Sequence, residues 1–118
     1  MDTFERLREE ETVPVVITNQ QGLITHTNKP FQRVFGWSED EVLGKPLTLI
    51  IPKALHDAHH LGFSRFLNTG RPTLLDRPLQ LKAVTKGGRE FAAEHIISAE
   101  KRNGEWIFGA TIRPLVEV

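Results

Sequence analysis

The fold is decided by residues 15–52, which read VVITNQQGLITHTNKPFQRVFGWSEDEVLGKPLTLIIP. Val13–Asn19 is rich in β-branched residues and predicts a buried strand. Gln20-Gln21-Gly22 predicts a turn in which glycine supplies the positive φ. Leu23–Thr27 predicts a second strand, so the two strands form a hairpin.

Two short helices are predicted directly after this hairpin. Asn28 is a good N-cap, and Pro30 suits the first turn of the helix that Gly36 ends. Ser38 and Glu41 have the spacing of a capping box and begin the next helix. Each helix therefore has a start signal in the sequence itself.

The rest of the chain predicts one longer helix and three strands. The helix runs from Lys53 to Asn68, with Gly70 as its C-terminal stop. Two glycine-containing turns, Gly87-Gly88 and Asn103-Gly104, separate the strands and predict hairpins. The strands are Leu79–Val84, Glu90–Ser98 and Trp106–Arg113. Strands at both ends and helices between them predict an α+β fold, a five-stranded antiparallel sheet with one face covered by the helices.

The chain has 118 residues, the size of a single domain. Residues 1–12 predict an amphipathic cap helix with Phe4 and Leu7 on its apolar side. Residues 13–118 are expected to form the domain proper.

Composition excludes several classes of function. Fifteen basic residues balance fifteen acidic ones, which argues against nucleic acid as a partner. The absence of cysteine excludes disulfides, zinc–thiolate sites and a cysteine nucleophile. No segment is apolar enough for membrane insertion, so we expect a cytoplasmic protein. No phosphate-binding loop or serine elbow occurs, so we expect no catalytic residues and no enzymatic activity.

These elements resemble the PAS family over nearly the whole chain. Residues 15–52 are similar to the usual PAS opening, and FLNTG, TKGGREF and AAEHIIS are similar to motifs of its second half. The resemblance implies a sensory and dimerising module. The flavin-binding branch needs a reactive cysteine, which this chain lacks, so flavin is not expected.

The histidines are the main candidates for binding a cofactor or ligand. His59 recurs with Leu55, Phe63 and Phe66 at helical spacing, so it is predicted to face inward. In the heme-bearing branch of the family, the axial histidine lies near this position, so the resemblance implies heme as an alternative. A histidine packed in the core is the other interpretation. His95 alternates with apolar residues of its strand, so it is predicted to face the same pocket or to be partly exposed.

The ligand of this pocket is unknown. The rest of the pocket wall is predicted to consist of apolar residues on the inward faces of the helix and the strands. These residues are Phe63, Phe66, Leu67, Leu79, Ile97, Phe108 and Ala110.

The function expected is that of a sensory PAS module in a histidine kinase or a cyclic-di-nucleotide enzyme. The module senses a small molecule or partner and passes the change to an output domain through the sheet. A homodimer is expected through Ile96, Ile107 and Thr111 on the outer sheet face; the alternative is that the N-terminal helix covers this face of its own sheet and the domain is monomeric. One alternative is a heme-based gas or redox sensor using His59. Another is a small metal-dependent enzyme built on His56 and His60. No third ligand is evident, so no metal site is expected, and both side chains are expected on a solvated flank of the helix.

Overall fold

The structure, a computed structural model, describes residues 3–69 and 77–115 and confirms the predicted α+β fold. Five strands form one antiparallel sheet in the order β2-β1-β5-β4-β3. Two 3₁₀ helices, Leu47–Ile50 and Lys53–Leu55, lead into the longest α-helix. The other elements are α1 (Thr3–Glu9), β1 (Val15–Thr18), β2 (Ile24–Thr27), α2 (Lys29–Phe35), α3 (Glu39–Val42), α4 (His56–Thr69), β3 (Leu79–Val84), β4 (Glu90–Arg102) and β5 (Glu105–Pro114).

The β4–β5 hairpin is longer than the apolar pattern predicts. Strand β4 continues past Ser98 to Arg102, and β5 begins at Glu105. The cause is the Asn103-Gly104 turn, in which both residues have positive φ, 51° and 81°. In such a two-residue turn, the residues directly before and after it form a β-pair, so the strands extend up to the turn whatever the polarity of those residues. The Gly70 stop signal predicted for α4 lies outside the described residues.

Asn28 joins three parts of the chain through its buried side chain. Its Oδ1 accepts hydrogen bonds from the backbone N–H groups of Val15 and Phe31, both at 3.0 Å. Its Nδ2 donates to the carbonyls of Glu10 at 2.9 Å and Val13 at 2.8 Å. The predicted cap of α2 therefore also fixes the start of β1 and the segment that follows α1.

The sheet separates two apolar clusters. The inner cluster lies between the sheet and the helices α2 and α3, and includes Phe31, Phe35, Phe91 and Ile112. The outer cluster lies under α1 and is formed by Phe4, Leu7, Val15, Ile17 and Ile107. Helix α1 is thus part of the folded domain, and it covers Ile107 of its own chain. The expectation that Ile107 lies on an open dimer face is wrong for this reason.

Gly109 allows α1 to approach the backbone of β5. A Cβ atom at this position would lie 2.6 Å from Leu7 Cδ1 and 2.9 Å from Phe4 Cε1. Those distances are shorter than van der Waals contact, and both side chains are buried. Only glycine therefore fits beneath α1 as it is packed.

We predict that Gly109→Ala destabilises the domain by about 1–3 kcal/mol, the usual cost of overpacking a core. Urea unfolding followed by circular dichroism measures the change in the free energy of unfolding.

The matched control is Gly62→Ala in α4, where no atom lies within 4 Å of the added methyl group. This substitution is expected to stabilise by about 0.4–1 kcal/mol, because alanine favours the helix. If Gly109→Ala proved neutral, α1 would not be seated on β5 as described.

Candidate functional site

Helix α4 packs its aromatic residues on the inner face of β5. The ring of Phe63 lies 5.0 Å from that of Phe108, and Phe66 lies 5.2 Å from Phe108 and 4.8 Å from Trp106 between ring centroids. Phe66 meets both partners edge-on, a favourable arrangement of aromatic quadrupoles. These four residues, called the aromatic cluster below, form the contact between α4 and β5.

His59 lies on the aromatic side of α4, as the periodicity predicts. Its ring stacks on that of Phe63 at 6.1 Å with an interplanar angle of 29°. Burial lowers the pKa of His59 below 6.5, and the neighbouring His60 and His56 lower it further. The imidazole is therefore neutral near pH 7.

His56 does not lie on a solvated flank, so that expectation is wrong. The side chain is half-buried, and its Nε2 lies 2.7 Å from the carbonyl oxygen of Ile51. Because a carbonyl only accepts, Nε2 carries the hydrogen. His60, one turn further along, is exposed as predicted. His56 thus ties the first turn of α4 to the preceding segment.

The apolar stripe of α4 is narrower than predicted. Leu55 and Leu67 are each 38% exposed, and Leu61 is 57% exposed. Leu55 belongs to a 3₁₀ turn, whose tighter winding of about 3.0 residues per turn rotates it away from the α-helical stripe. Phe63 and Phe66, with His59, therefore make the inner wall, and Leu67 lies at its edge.

His95 lies on the inner face of β4, which fits the predicted alternation. It pairs with Leu79 of β3 and Ile112 of β5, and its Nδ1 lies 3.2 Å from the carbonyl of Ala93. Burial lowers the pKa of His95, and the hydrogen bond to Ala93 partly opposes this. Ile112 is four residues from Phe108 in β5, or roughly 13 Å along a strand.

The predicted pocket residues therefore fall into separate groups. Phe63, Phe66 and Phe108 contact one another, whereas Leu79 lies beside His95 at the far end of the inner face. Ile97 and Ala110 pair between these groups and belong to the packed inner core.

Heme does not fit between α4 and β5 in this packing. His59 has the neutral imidazole that an axial ligand requires. The rings of Phe63 and Phe66, however, lie directly against Phe108, at 5.0 and 5.2 Å. A macrocycle cannot lie between groups already in contact.

No group of three His, Asp or Glu side chains in residues 3–69 and 77–115 is arranged to hold a metal ion. The metal-dependent enzyme therefore gains no support from the described part of the chain.

A cleft of about 250 Å³ was missed by the sequence analysis. It opens beside the aromatic cluster and is lined by Gln20, Leu67, Lys101, Gly104 and Trp106. The backbone N–H of Trp106 donates to Gln20 Oε1 at 3.0 Å. A contact between residues so distant in sequence leaves no local signal. The sequence predicts Trp106 only as the start of a strand, and the Asn103-Gly104 turn is the local feature that brings it opposite Lys101.

Comparison with known proteins settles the family. A family model described as the PAS fold matches residues 2–89. The chain belongs to the PAS family. PAS domains are sensory modules of signalling proteins, so the chain is a sensory domain with a role in signal transduction.

Two relatives are similar to most of this chain. An uncharacterized protein of Azorhizobium caulinodans is 30% identical over 102 residues, covering 86% of this chain and 14% of that protein. The sensor protein FixL of Bradyrhizobium diazoefficiens is 25% identical over 108 residues, covering 90% of this chain and 21% of FixL. The chain thus spans less than a quarter of either relative.

The PAS fold is also seen in solved structures. The crystal structure of a PAS domain from Desulfitobacterium hafniense superposes with a TM-score of 0.73 at 18% identity, covering 91% of this chain and 96% of that chain. Among the residues described here, no helix is long and apolar enough to cross a membrane.

We predict that this PAS domain loses stability as the pH falls below about 6.5, because protonation then reaches its half-buried histidines. Burial lowers the pKa values of His26, His59 and His95 below 6.5 in the folded state. Their neutral forms therefore stabilise the fold above pH 6.5, and this stabilisation is lost as the pH falls through the lowered values. Urea unfolding at a series of pH values measures the loss.

His95→Gln should reduce the pH-dependent loss, because it removes one of these groups. His60→Gln, a change at an exposed histidine of α4, is the comparison variant and should reduce the loss less than His95→Gln, because it removes only the positive charge that lowers the pKa of His59. Identical pH profiles for wild type and His95→Gln would contradict the burial of His95.

Proposed function

We propose that this domain is the sensory module of a cytoplasmic signalling protein, of the histidine kinase or cyclic-di-nucleotide enzyme type. A small molecule or partner acts on the inner face at α4, and the change passes through β5 to the outer face and then to an output domain. The role in a signalling protein is supported by the similarity to the sensor protein FixL. The domain itself performs no catalysis.

One observation carries the proposal: adjacent residues of β5 contact the two opposite layers. Phe108 contacts Phe63 and Phe66 of α4 on the inner face. Gly109 lies against Phe4 and Leu7 of α1 on the outer face. Since successive side chains of a strand point to opposite faces, one backbone segment supports both contacts.

The contact at Gly109 makes α1 sensitive to small displacements. Because Gly109 has no side chain, Phe4 and Leu7 pack directly on the β5 backbone, and since both are buried they have little space in which to absorb a shift of that strand. Close-packed interfaces respond to such shifts by adopting a second arrangement. Binding of a small molecule or partner near α4 would therefore change how much of the protein has α1 docked on β5 and how much has it undocked.

The inner site suits binding and not chemistry. Neutral His59 and the aromatic rings offer apolar surface and one polar group for a ligand, as in most small-molecule sites. The helix that carries them has an exposed outer side with Leu61 and His60. Helix α4 can therefore move against β5 without breaking the main core under α2 and α3.

We predict that Phe66→Ala increases amide hydrogen exchange in α1, although Phe66 and α1 lie on opposite sides of the sheet. Removing this ring removes the contact between Phe66 and Phe108. The resulting shift of the β5 backbone weakens the packing of α1 on Gly109. Exchange of α1 peptides, followed by mass spectrometry, measures the effect.

Leu61→Ala provides the matched control, since Leu61 lies on the same helix but is 57% exposed. It should leave α1 exchange unchanged. If Phe66→Ala also left α1 exchange unchanged while increasing exchange in α4, the proposed path through β5 would be wrong.

We further propose that the domain forms a homodimer through the part of the outer face next to α1. Ile96 is 37% exposed there and pairs with Thr111 of β5. Apolar side chains on an open sheet face are typical of interfaces.

We predict that Ile96→Glu converts a dimer to a monomer, because a carboxylate would be buried without a partner. Size-exclusion chromatography with light scattering gives the mass. Leu81→Glu is the control and should leave the mass unchanged, because Leu81 is a similarly exposed apolar residue but lies on the inner-facing side of β3. A wild-type protein that is already monomeric would refute the dimer.

A further inference from the structure

His26 lies on the outer face of the sheet, beside the residues that pack under helix α1. It pairs directly with Ile17 of β1, and directly paired residues of antiparallel strands point to the same face. Ile17 belongs to the outer cluster together with Phe4 and Leu7 of α1. The ring of His26 therefore borders the surface on which α1 is docked.

One nitrogen of the His26 ring is buried without a partner. Its Nε2 is shielded from solvent, and no group in residues 3–69 and 77–115 forms a hydrogen bond with it. With its hydrogen on Nδ1, the neutral ring leaves Nε2 as a bare acceptor. Protonation puts an N–H on both nitrogens, so a charged donor would be buried there without an acceptor. The surroundings of His26 therefore accommodate the neutral ring and disfavour the charged one.

The charged groups that act on His26 come from two helices. Arg8, in the last turn of α1, adds a positive charge, and Glu39, in the first turn of α3, adds a negative one. The partner in β1, Ile17, carries no charge. Burial and Arg8 together outweigh Glu39, so the pKa of His26 lies below 6.5. The other charged residues of α1, of α3 and of the segment beside β2 are exposed and are not among the groups that shift this pKa; they are Glu5, Arg6, Glu9, Asp40, Glu41 and Lys45.

We propose that His26 is a pH-dependent switch for α1: the helix docks on the sheet while the ring is neutral and is released when the ring is protonated. Protonation puts a second positive charge near Arg8, at the border of an apolar cluster. Undocking of α1 removes the charge of Arg8 and opens the outer cluster to water, so it relieves both costs. Because docking weakens the binding of a proton to His26, the bound proton weakens docking by the same factor.

The switch acts on the same helix as the inner site but reaches it by another route. Binding near α4 acts through Phe108 and Gly109 of β5, whereas His26 acts on the outer face itself. Helix α1 would be docked above pH 6.5 and released as the pH falls below it. The role of this switch in signalling rests on the sensory function proposed above, in which α1 is the helix that responds.

An NMR titration of the intact chain between about pH 5 and about pH 8, the range in which histidines change charge, tests the switch. The Cε1–H signal of His26 reports its protonation, and the methyl signals of Leu7, which packs with Phe4 in the outer cluster, report the docking of α1. His26→Gln and Leu7→Ile assign these signals. We expect both sets of signals to change with one midpoint below pH 6.5, and the Leu7 signals of His26→Gln to stop responding to pH.

Arg8→Gln should raise the midpoint of His26 and reduce the change at Leu7, because it removes the positive charge that opposes protonation in the docked state. Arg6→Gln is the matched control. Arg6 carries the same charge on the same helix and is equally exposed, but it is not among the groups that shift the pKa of His26. This variant should titrate as the wild type does.

The switch is refuted if the Leu7 signals do not follow the midpoint of His26, if they still respond to pH in His26→Gln, or if both arginine variants shift the midpoint equally. Such a failure leaves the proposed function standing, provided that Phe66→Ala still alters exchange in α1. If Phe66→Ala has no effect on α1 while Leu7 follows His26, the path through β5 fails and the response of α1 to pH stands.

Discussion

The rest of the structure depends on β5, because its backbone is in contact with a different layer on each side. Phe108 contacts α4 on the inner face, and Gly109 contacts α1 on the outer face. The strand also pairs with β1 on one edge and β4 on the other. Its position is therefore set by four neighbours, and a displacement imposed by one of them must be accommodated by the others.

The elements around β5 differ in how firmly they are held. Helices α2 and α3 have side-chain caps from Asn28 and Ser38 and pack on a fully buried core. Helix α1 relies on two buried side chains, and α4 on the aromatic cluster and the hydrogen bond of His56. Small local stability is typical of elements that move in signalling. The sensory path proposed here runs between these two weakly held helices.

The sequence could predict the order of elements because caps and turns are local. Asn28, Ser38 and the Asn103-Gly104 turn act within a few residues of themselves, and all of them do what was predicted. Other features depend on contacts between distant segments. The fit of α1 over Gly109 and the bond from Trp106 to Gln20 are of this kind. The inward direction of His59 could be predicted from helical spacing, whereas the burial of His56 depended on a 3₁₀ turn that no local signal indicated.

The central claim is that β5 couples its two faces, and a double-mutant cycle between Phe66→Ala and Leu7→Ala tests it most directly. These side chains lie on opposite faces of the sheet, Phe66 against Phe108 and Leu7 against Gly109. Independent sites add within about 0.3–0.5 kcal/mol in the free energy of unfolding. We predict an interaction energy above about 0.5 kcal/mol, since residues coupled through a shared backbone shift are non-additive. Additivity of the two substitutions would contradict the account.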